Sequence, residues 1–170
     1  IGLAAVQGAR LAGASLIIAA DPVEERRQAA LQMGAHHAID PRKVNLQDFC
    51  MQQTGQIGMD YAFETAGIAA LAEQSINLTR AGGTTVCVGS PGIMESITIP
   101  HAVIFGATEK KLCGCLLGSC NSLYEIPRLI GLWKQGLIDL ESLITSRRPL
   151  EQINEGFDDL HHARGIRTVI

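Results

Sequence analysis

Nowhere in the 170 residues is there an apolar run of the roughly 18 residues that a membrane-spanning helix requires. A basic block is also missing. Fourteen Lys and Arg stand against 17 Asp and Glu, for a formal net charge of -3 at pH 7. That balance draws the protein neither to nucleic acid nor to an anionic membrane surface, so neither is expected as a partner. The pattern of a zinc site is lacking too. The cysteines are Cys50, Cys87, Cys113, Cys115 and Cys120, and Cys113-Gly114-Cys115 is a CxC rather than a CxxC. No second close pair or spaced histidine completes it, so no metal is expected here. An odd number of thiols, with Cys87 and Cys113 in strand-like apolar runs, reads as small buried hydrophobes in a reducing compartment. A cytoplasmic location is expected on that ground. Repeats, linkers and low-complexity tracts are absent.

What is present is a globular composition, 46% hydrophobic and 18% charged, long enough for one domain with a sizeable core and a short appendage. Residue 1 already lies inside a folded-looking pattern. No signal peptide is therefore expected, and the chain reads as a piece of something longer. Leu3, Val6, Ala9 and Ala12 recur at helical spacing until Gly13 stops them. Ser15 to Ala20 is a short continuous apolar run, as in a parallel strand covered on both faces. Asp21-Pro22 then starts a helix with Glu24 and Glu25 in its first turn, lined by Val23, Ala30 and Met33 and closed by Gly34. His37 to Ile39 is a brief strand. The cycle repeats with helices at 46–53 and 68–78 and strands at 59–64 and 84–88, with Gly82-Gly83 as a turn. Two more short strands are expected at 97–99 and 111–116, around a helix near 101–105. Strand alternating with helix implies a parallel sheet with right-handed crossovers. After Gly118 the rhythm changes to helical stripes, Leu123, Ile126, Ile130 and Trp133, then Ile153, Phe157 and Leu160, with a last strand at 166–170.

A dinucleotide site needs a glycine turn that lets backbone N–H groups approach the pyrophosphate, a helix N-terminus, and an acid about 20 residues on for the ribose hydroxyls. Gly2 opens a helix, and Asp21 follows at about that spacing at the end of the next strand. Gly2 then reads as the last glycine of GxGxxG, with the earlier two outside the chain. A methyltransferase uses a similar glycine and acid, and a plain helix cap before Pro22 is the structural alternative for Asp21.

Seven segments carry a more specific likeness: IGLAAVQGARLAGA (1–14), IIAAD (17–21), MGAHHAIDP (33–41), DYAFETAG (60–67), VCVG (86–89), INEGFDDL (153–160) and GIRTVI (165–170). In these the chain resembles the coenzyme-binding half of the medium-chain, zinc-type alcohol dehydrogenases along almost its whole length. The resemblance implies a doubly wound α/β Rossmann fold, truncated at its N-terminus. Residues 1–118 would form the NAD-binding domain, and 119–170 a helical return segment packing on an absent catalytic domain. It places Ile1 and Gly2 under the pyrophosphate, Asp21 on the adenosine ribose, and Arg26 beside that ribose. Ala66 and Gly67 fall on the adenine side of the cleft. Val88, Gly89 and Ser90 hold the nicotinamide end through backbone groups, the backbone of Leu117 faces the carboxamide, and Arg167 reaches the pyrophosphate. The family's catalytic zinc and proton relay belong to the other domain, so zinc is expected in the intact enzyme only and the fragment alone is expected to be inactive. Glu64 is expected to be structural, and the His36-His37 and His161-His162 pairs to be solvated.

The implied activity is hydride transfer between NAD and an alcohol or aldehyde. A zinc-free quinone reductase of the same superfamily is the nearest alternative, and Asp21 speaks against its NADP preference. A stand-alone nucleotide sensor is disfavoured because it has no need of a return segment. A methyltransferase would leave Arg167 and the VCVG strand end without a role. A homodimer is expected through a sheet edge in Ser96–Ile99 and Lys111–Leu116.

Overall fold

The computed structural model describes residues 1–99 and 101–170. In chain order the elements are α1 (Gly2–Leu11), β1 (Ile18–Ala20), α2 (Glu24–Gln32), β2 (His37–Ile39), α3 (Leu46–Gln53), β3 (Met59–Glu64), α4 (Ala69–Leu78), β4 (Thr79–Cys87), α5 (Ala102–Ala107), β5 (Lys111–Gly114), α6 (Ser122–Lys134), β6 (Ser146–Arg147), α7 (Ile153–His161) and β7 (Thr168–Val169). The architecture is α/β, and every strand pairing among the described residues is parallel. The chain forms two compact units, one of residues Ile1–Gly2 with Val44–Ser122, the other of Leu3–Lys43 with Leu123–Ile170.

The first unit is a three-stranded sheet in the order β3-β4-β5. Asn45 starts its first helix by accepting the Asp48 N–H on its side chain at 3.1 Å, a cap that satisfies one orphan donor of α3. Its buried apolar side chains are Cys50, Ala69, Ala72, Ile76 and Leu78. Thus α4 turns one face, at a spacing of three and four, into the unit. The turn expected at Gly82-Gly83 lies instead inside β4. The register steps from Met59 against Thr79 to Tyr61 against Thr84, so residues 80–83 form an irregular bulge while the strand continues. Glycine there reads as a turn in sequence because the same backbone freedom serves a bulge. The strand expected at Ile97–Ile99 does not form; the Thr98 N–H is held at 2.6 Å by the Glu73 carboxylate of α4.

The second unit holds two two-stranded sheets, β1-β2 and β6-β7. Its core is Val6, Ile17, Ala30, Met33 and Ala35, with Leu3, Ala9, Ala19 and Leu143 packed against it. Val6 and Met33 are each the kind of side chain whose full burial contributes about 1.5–3 kcal/mol. Two side chains of α1 tie this core to the stretch after α6. Buried Gln7 bonds both backbone groups of Asp139, and Arg10 donates to the Leu137 carbonyl at 2.8 Å. The β6 strand, not expected from sequence, pairs Ser146 and Arg147 with Thr168 and Val169. Two residues are too few to leave a periodicity. The stripes of α6 and α7 form as read, and Leu123, Phe157 and Leu160 remain exposed.

Candidate functional site

In the first unit the expected contact residues gather where β3 and β4 end, the side of an open α/β sheet on which ligands bind. Glu64 organises this corner. It closes β3 and is 5% exposed. Its Oε1 accepts the N–H groups of Ala66 at 2.7 Å and Gly67 at 2.8 Å. Its backbone carbonyl accepts those of Val88 at 2.8 Å and Gly89 at 3.0 Å. One residue thus fixes four backbone donors in the two segments assigned to coenzyme.

Those segments touch backbone to backbone, and both glycines are required for it. Gly67 has φ +76°, and a Cβ there would lie 2.7 Å from the Ser90 carbonyl oxygen. A Cβ on Gly89 would lie 2.1 Å from the Gly67 nitrogen and 2.7 Å from Glu64 Oε2. No side chain fits either place. Gly2 joins the corner through Thr65, whose Oγ1 is 3.1 Å from where a Cβ on Gly2 would stand. Thr65 was not singled out from sequence, and the flanking Glu64 and Gly67 are the signal that marks its loop. Ile1 is exposed.

Beyond β5 the chain begins beside the end of β4, where the Cys115 N–H donates to the Cys87 carbonyl at 3.0 Å. It then enters a left-handed turn, with φ +49° at Leu117, +73° at Gly118 and +51° at Ser119. The Cys120 thiol donates to the Leu117 carbonyl at 3.2 Å, and the Leu117 side chain is exposed. Burial pushes the Cys87 thiol pKa up, helped by the charges of Glu64 and Cys113.

The second unit carries Asp21, Arg26 and Arg167. Asp21 follows β1 and is half-buried. Its Oδ1 accepts the Val23 N–H at 2.8 Å, an Asx turn rather than a cap on α2, whose N-cap is Val23. Its Oδ2 has no hydrogen-bond partner among the described residues. Arg26 is tied elsewhere: Nε and Nη2 both donate to the Gly165 carbonyl, at 3.3 and 3.1 Å. The Arg167 guanidinium is exposed and forms no ion pair among the described residues, while its carbonyl holds Thr145 and Ser146. Histidines of both pairs, expected to be solvated, make contacts within the protein. His36 Nδ1 accepts the Ile17 N–H at 2.9 Å, and His162 Nδ1 contacts the Asp158 carbonyl at 2.9 Å. Among the described residues no three of His, Cys, Asp and Glu come together in a way that could hold a metal ion. No helix among them is long and apolar enough to cross a membrane.

Residues 1–134 match the sequence family described as zinc-binding dehydrogenase. The chain belongs to this family. Over 173 residues it is 37% identical to the NDMA-dependent alcohol dehydrogenase of Amycolatopsis methanolica, an alignment that takes in 100% of this chain and 46% of that protein. The crystal structure of an alcohol dehydrogenase zinc-binding domain protein from Burkholderia ambifaria superposes with a TM-score of 0.92 at 32% identity, covering 98% of this chain and 44% of that one. A zinc-binding dehydrogenase from Sinorhizobium meliloti 1021, crystallised with NADP bound, superposes with a TM-score of 0.79 at 28% identity over 91% of this chain and 44% of its own. The chain therefore spans a little under half the length of these family members.

Proposed function

We propose that the chain is the coenzyme-binding part of an NAD-dependent alcohol dehydrogenase that acts on an alcohol or aldehyde. The observation that carries this reading is the corner at the ends of β3 and β4. There Gly67 and Gly89 let the segments after β3 and β4 meet backbone to backbone, at the strand ends where an open α/β sheet takes its ligand. The NADP-bound relative supports a dinucleotide as the ligand class. Nicotinamide supplies hydride acceptance and donation, and the protein's part is to bind and orient it. In this reading Val88, Gly89 and Ser90 orient the nicotinamide end by backbone groups, with Leu117 beyond β5. Asp21 Oδ2 and the second lone pair of Oδ1 accept the ribose hydroxyls, and the exposed Arg167 guanidinium neutralises pyrophosphate. Arg26, bound to Gly165, stiffens the second unit beside that ribose. In this reading zinc is a cofactor of the intact protein only, held by residues outside this chain.

Asp21 decides between the two coenzymes. A 2′-phosphate beside its carboxylate meets like charge and loses the hydroxyl donor that the carboxylate accepts. In the intact protein kcat/KM should favour NAD+ over NADP+ by about tenfold or more, equivalent to ~1.4 kcal/mol. Asp21→Gly should erase most of that preference. Equal efficiency with both coenzymes, or an unchanged ratio in Asp21→Gly, overturns the assignment.

A second copy of the chain is the proposed partner. β5 ends the order β3-β4-β5, and an unpaired edge strand recruits another strand; two-fold pairing then closes the assembly. Ser96–Ile99, which is not a strand, drops out of that edge. Light scattering should give a dimer at tens of micromolar, and a clean monomer refutes the pairing.

A further inference from the structure

We infer that Glu64 is a positioning residue that sets coenzyme affinity by holding the Thr65–Gly67 loop in its binding-competent form; this rests on the coenzyme reading above. The sequence marks Glu64 only as an acid ending a buried strand. The structure shows what the carboxylate does. Ala66 and Gly67 present consecutive N–H groups to one oxygen, Oε1, at 2.7 and 2.8 Å. Consecutive backbone donors converging on an anion form a nest. The nest here is filled from within the chain, so the loop is organised before any ligand arrives.

The need for such a hold follows from the loop's conformation. Gly67 sits at φ +76°, a region glycine leaves as readily as it enters. Glycine loses more conformational freedom on ordering than any other residue, and nothing in the loop's own composition selects one form. The loop must also fit against Gly89 and Ser90 at backbone contact, which tolerates only one arrangement. The Glu64 carbonyl pins the other side of that contact through Val88 and Gly89. Removing the carboxylate therefore frees the Thr65–Gly67 side alone and leaves the β4 end in place. Apparent coenzyme affinity then falls in proportion to the fraction of loop still ordered.

Glu64 touches no reacting atom in this account, so substitution should change coenzyme KM and leave kcat at saturating coenzyme nearly intact. Glu64→Leu keeps a similar volume in the buried site and removes the acceptor. Glu64→Gln keeps an oxygen where both N–H groups point. In the intact protein Glu64→Leu should raise coenzyme KM about tenfold or more, with kcat and the alcohol KM within about threefold of wild type. Glu64→Gln should stay within about threefold throughout. A merely structural role would lower kcat through loss of folded protein without raising KM, and that result overturns the inference. Equal damage from Gln and Leu overturns it as well. Hydrogen exchange at the Ala66 and Gly67 amides of the unmodified protein is a second, activity-free measurement. Both should be protected relative to Thr65, and exchange at open-loop rates refutes the hold even if Glu64→Leu does not fold. A wild-type protein that saturates with neither dinucleotide fails the coenzyme reading instead, and the exchange rates still decide whether Glu64 holds the loop.

Discussion

Gln7 offers the sharpest test of how the second unit is held together. It lies on α1, is 3% exposed, and is separated by 132 residues from the backbone it bonds. Its Nε2 donates to the Asp139 carbonyl at 2.9 Å, and its Oε1 accepts the Asp139 N–H at 2.6 Å. The side-chain amide thus pairs with Asp139 as a neighbouring strand would. The same Nε2 approaches Met33 Sδ at 3.6 Å, inside the apolar core of that unit. Asp139 is further fixed by its own carboxylate, which accepts from the Ser142 backbone N–H at 3.0 Å and from its hydroxyl at 2.5 Å. One amide therefore joins the first helix to the turn after α6.

Gln7→Leu keeps the approximate volume and the helix propensity, so neither packing nor local helix formation should change much. What it removes is two hydrogen bonds, leaving an N–H and a C=O of partly buried backbone unsatisfied. Such a group costs about 1–3 kcal/mol when left without a partner. Partial access to water at Asp139 keeps the sum near the lower end, about 3 kcal/mol for the pair. For a chain of this length that corresponds to a Tm decrease of roughly 6–12 °C. Gln7→Glu should be worse, because it sets a carboxylate oxygen against the Asp139 carbonyl and buries a charge. Thermal and urea denaturation measure the totals, and hydrogen exchange at the Asp139 amide gives the local effect. A decrease below about 1 kcal/mol, or unchanged protection at Asp139, refutes the reasoning.

Two further outcomes follow from single residues. Thr85, in the middle of β4 between Ala62 and Leu112, is 0% exposed, and its Oγ1 has no partner among the described residues. Thr85→Val keeps the β-branched shape and removes a desolvated hydroxyl, so it should stabilise the protein by about 1 kcal/mol in urea denaturation; destabilisation contradicts this. Asp40 is held well below the usual carboxylate range, first by hydrogen bonds from the Arg42 side chain and also by its backbone N–H and the Arg27 charge. A depressed pKa contributes stability that is complete above the unfolded value of about 3.9 and is lost as pH falls through the folded value. Acid titration of stability should therefore be flat from neutrality to about pH 4 and fall below it, and Asp40→Asn should flatten that fall. An unchanged acid limb in the variant excludes Asp40 as its source.

Legibility in the sequence follows the range over which each signal acts. α3 and β3 lie where periodicity and capping place them, and α1 differs by a single residue at its end. Those signals are local. Gly82-Gly83 misleads because glycine permits both a turn and a bulge, and only the register against Met59 and Tyr61 separates the two. Ile97–Ile99 has the β-branched composition of a strand, yet the Thr98 N–H is held by Glu73, 25 residues away. β6 is two residues long and exists only because residues 168 and 169 pair with it. No window on the sequence contains both partners of such a contact.

The candidate site divides along the same line. Positions were legible: Gly2 opens α1, Asp21 follows β1, and Gly67 and Gly89 lie in the loops after β3 and β4. Their geometry was not, because it is made by backbone atoms that every residue shares. Glu64 read as a buried acid of structural role, and its actual bonds go to N–H groups whose positions depend on how β3 and β4 end together. Asp21 read as either a ribose acceptor or a local cap. The Asx turn to Val23 uses one lone pair of Oδ1 and leaves Oδ2 unpartnered, so one carboxylate has the capacity for both jobs. Arg26 could not have been resolved from sequence, since the carbonyl that claims it is 139 residues on. The coenzyme reading thus rests on places where a side chain is forbidden or an acceptor is left over. Substituting Asp21 and Glu64 separates those two kinds of evidence, because Asp21 acts on the choice of coenzyme and Glu64 on its affinity.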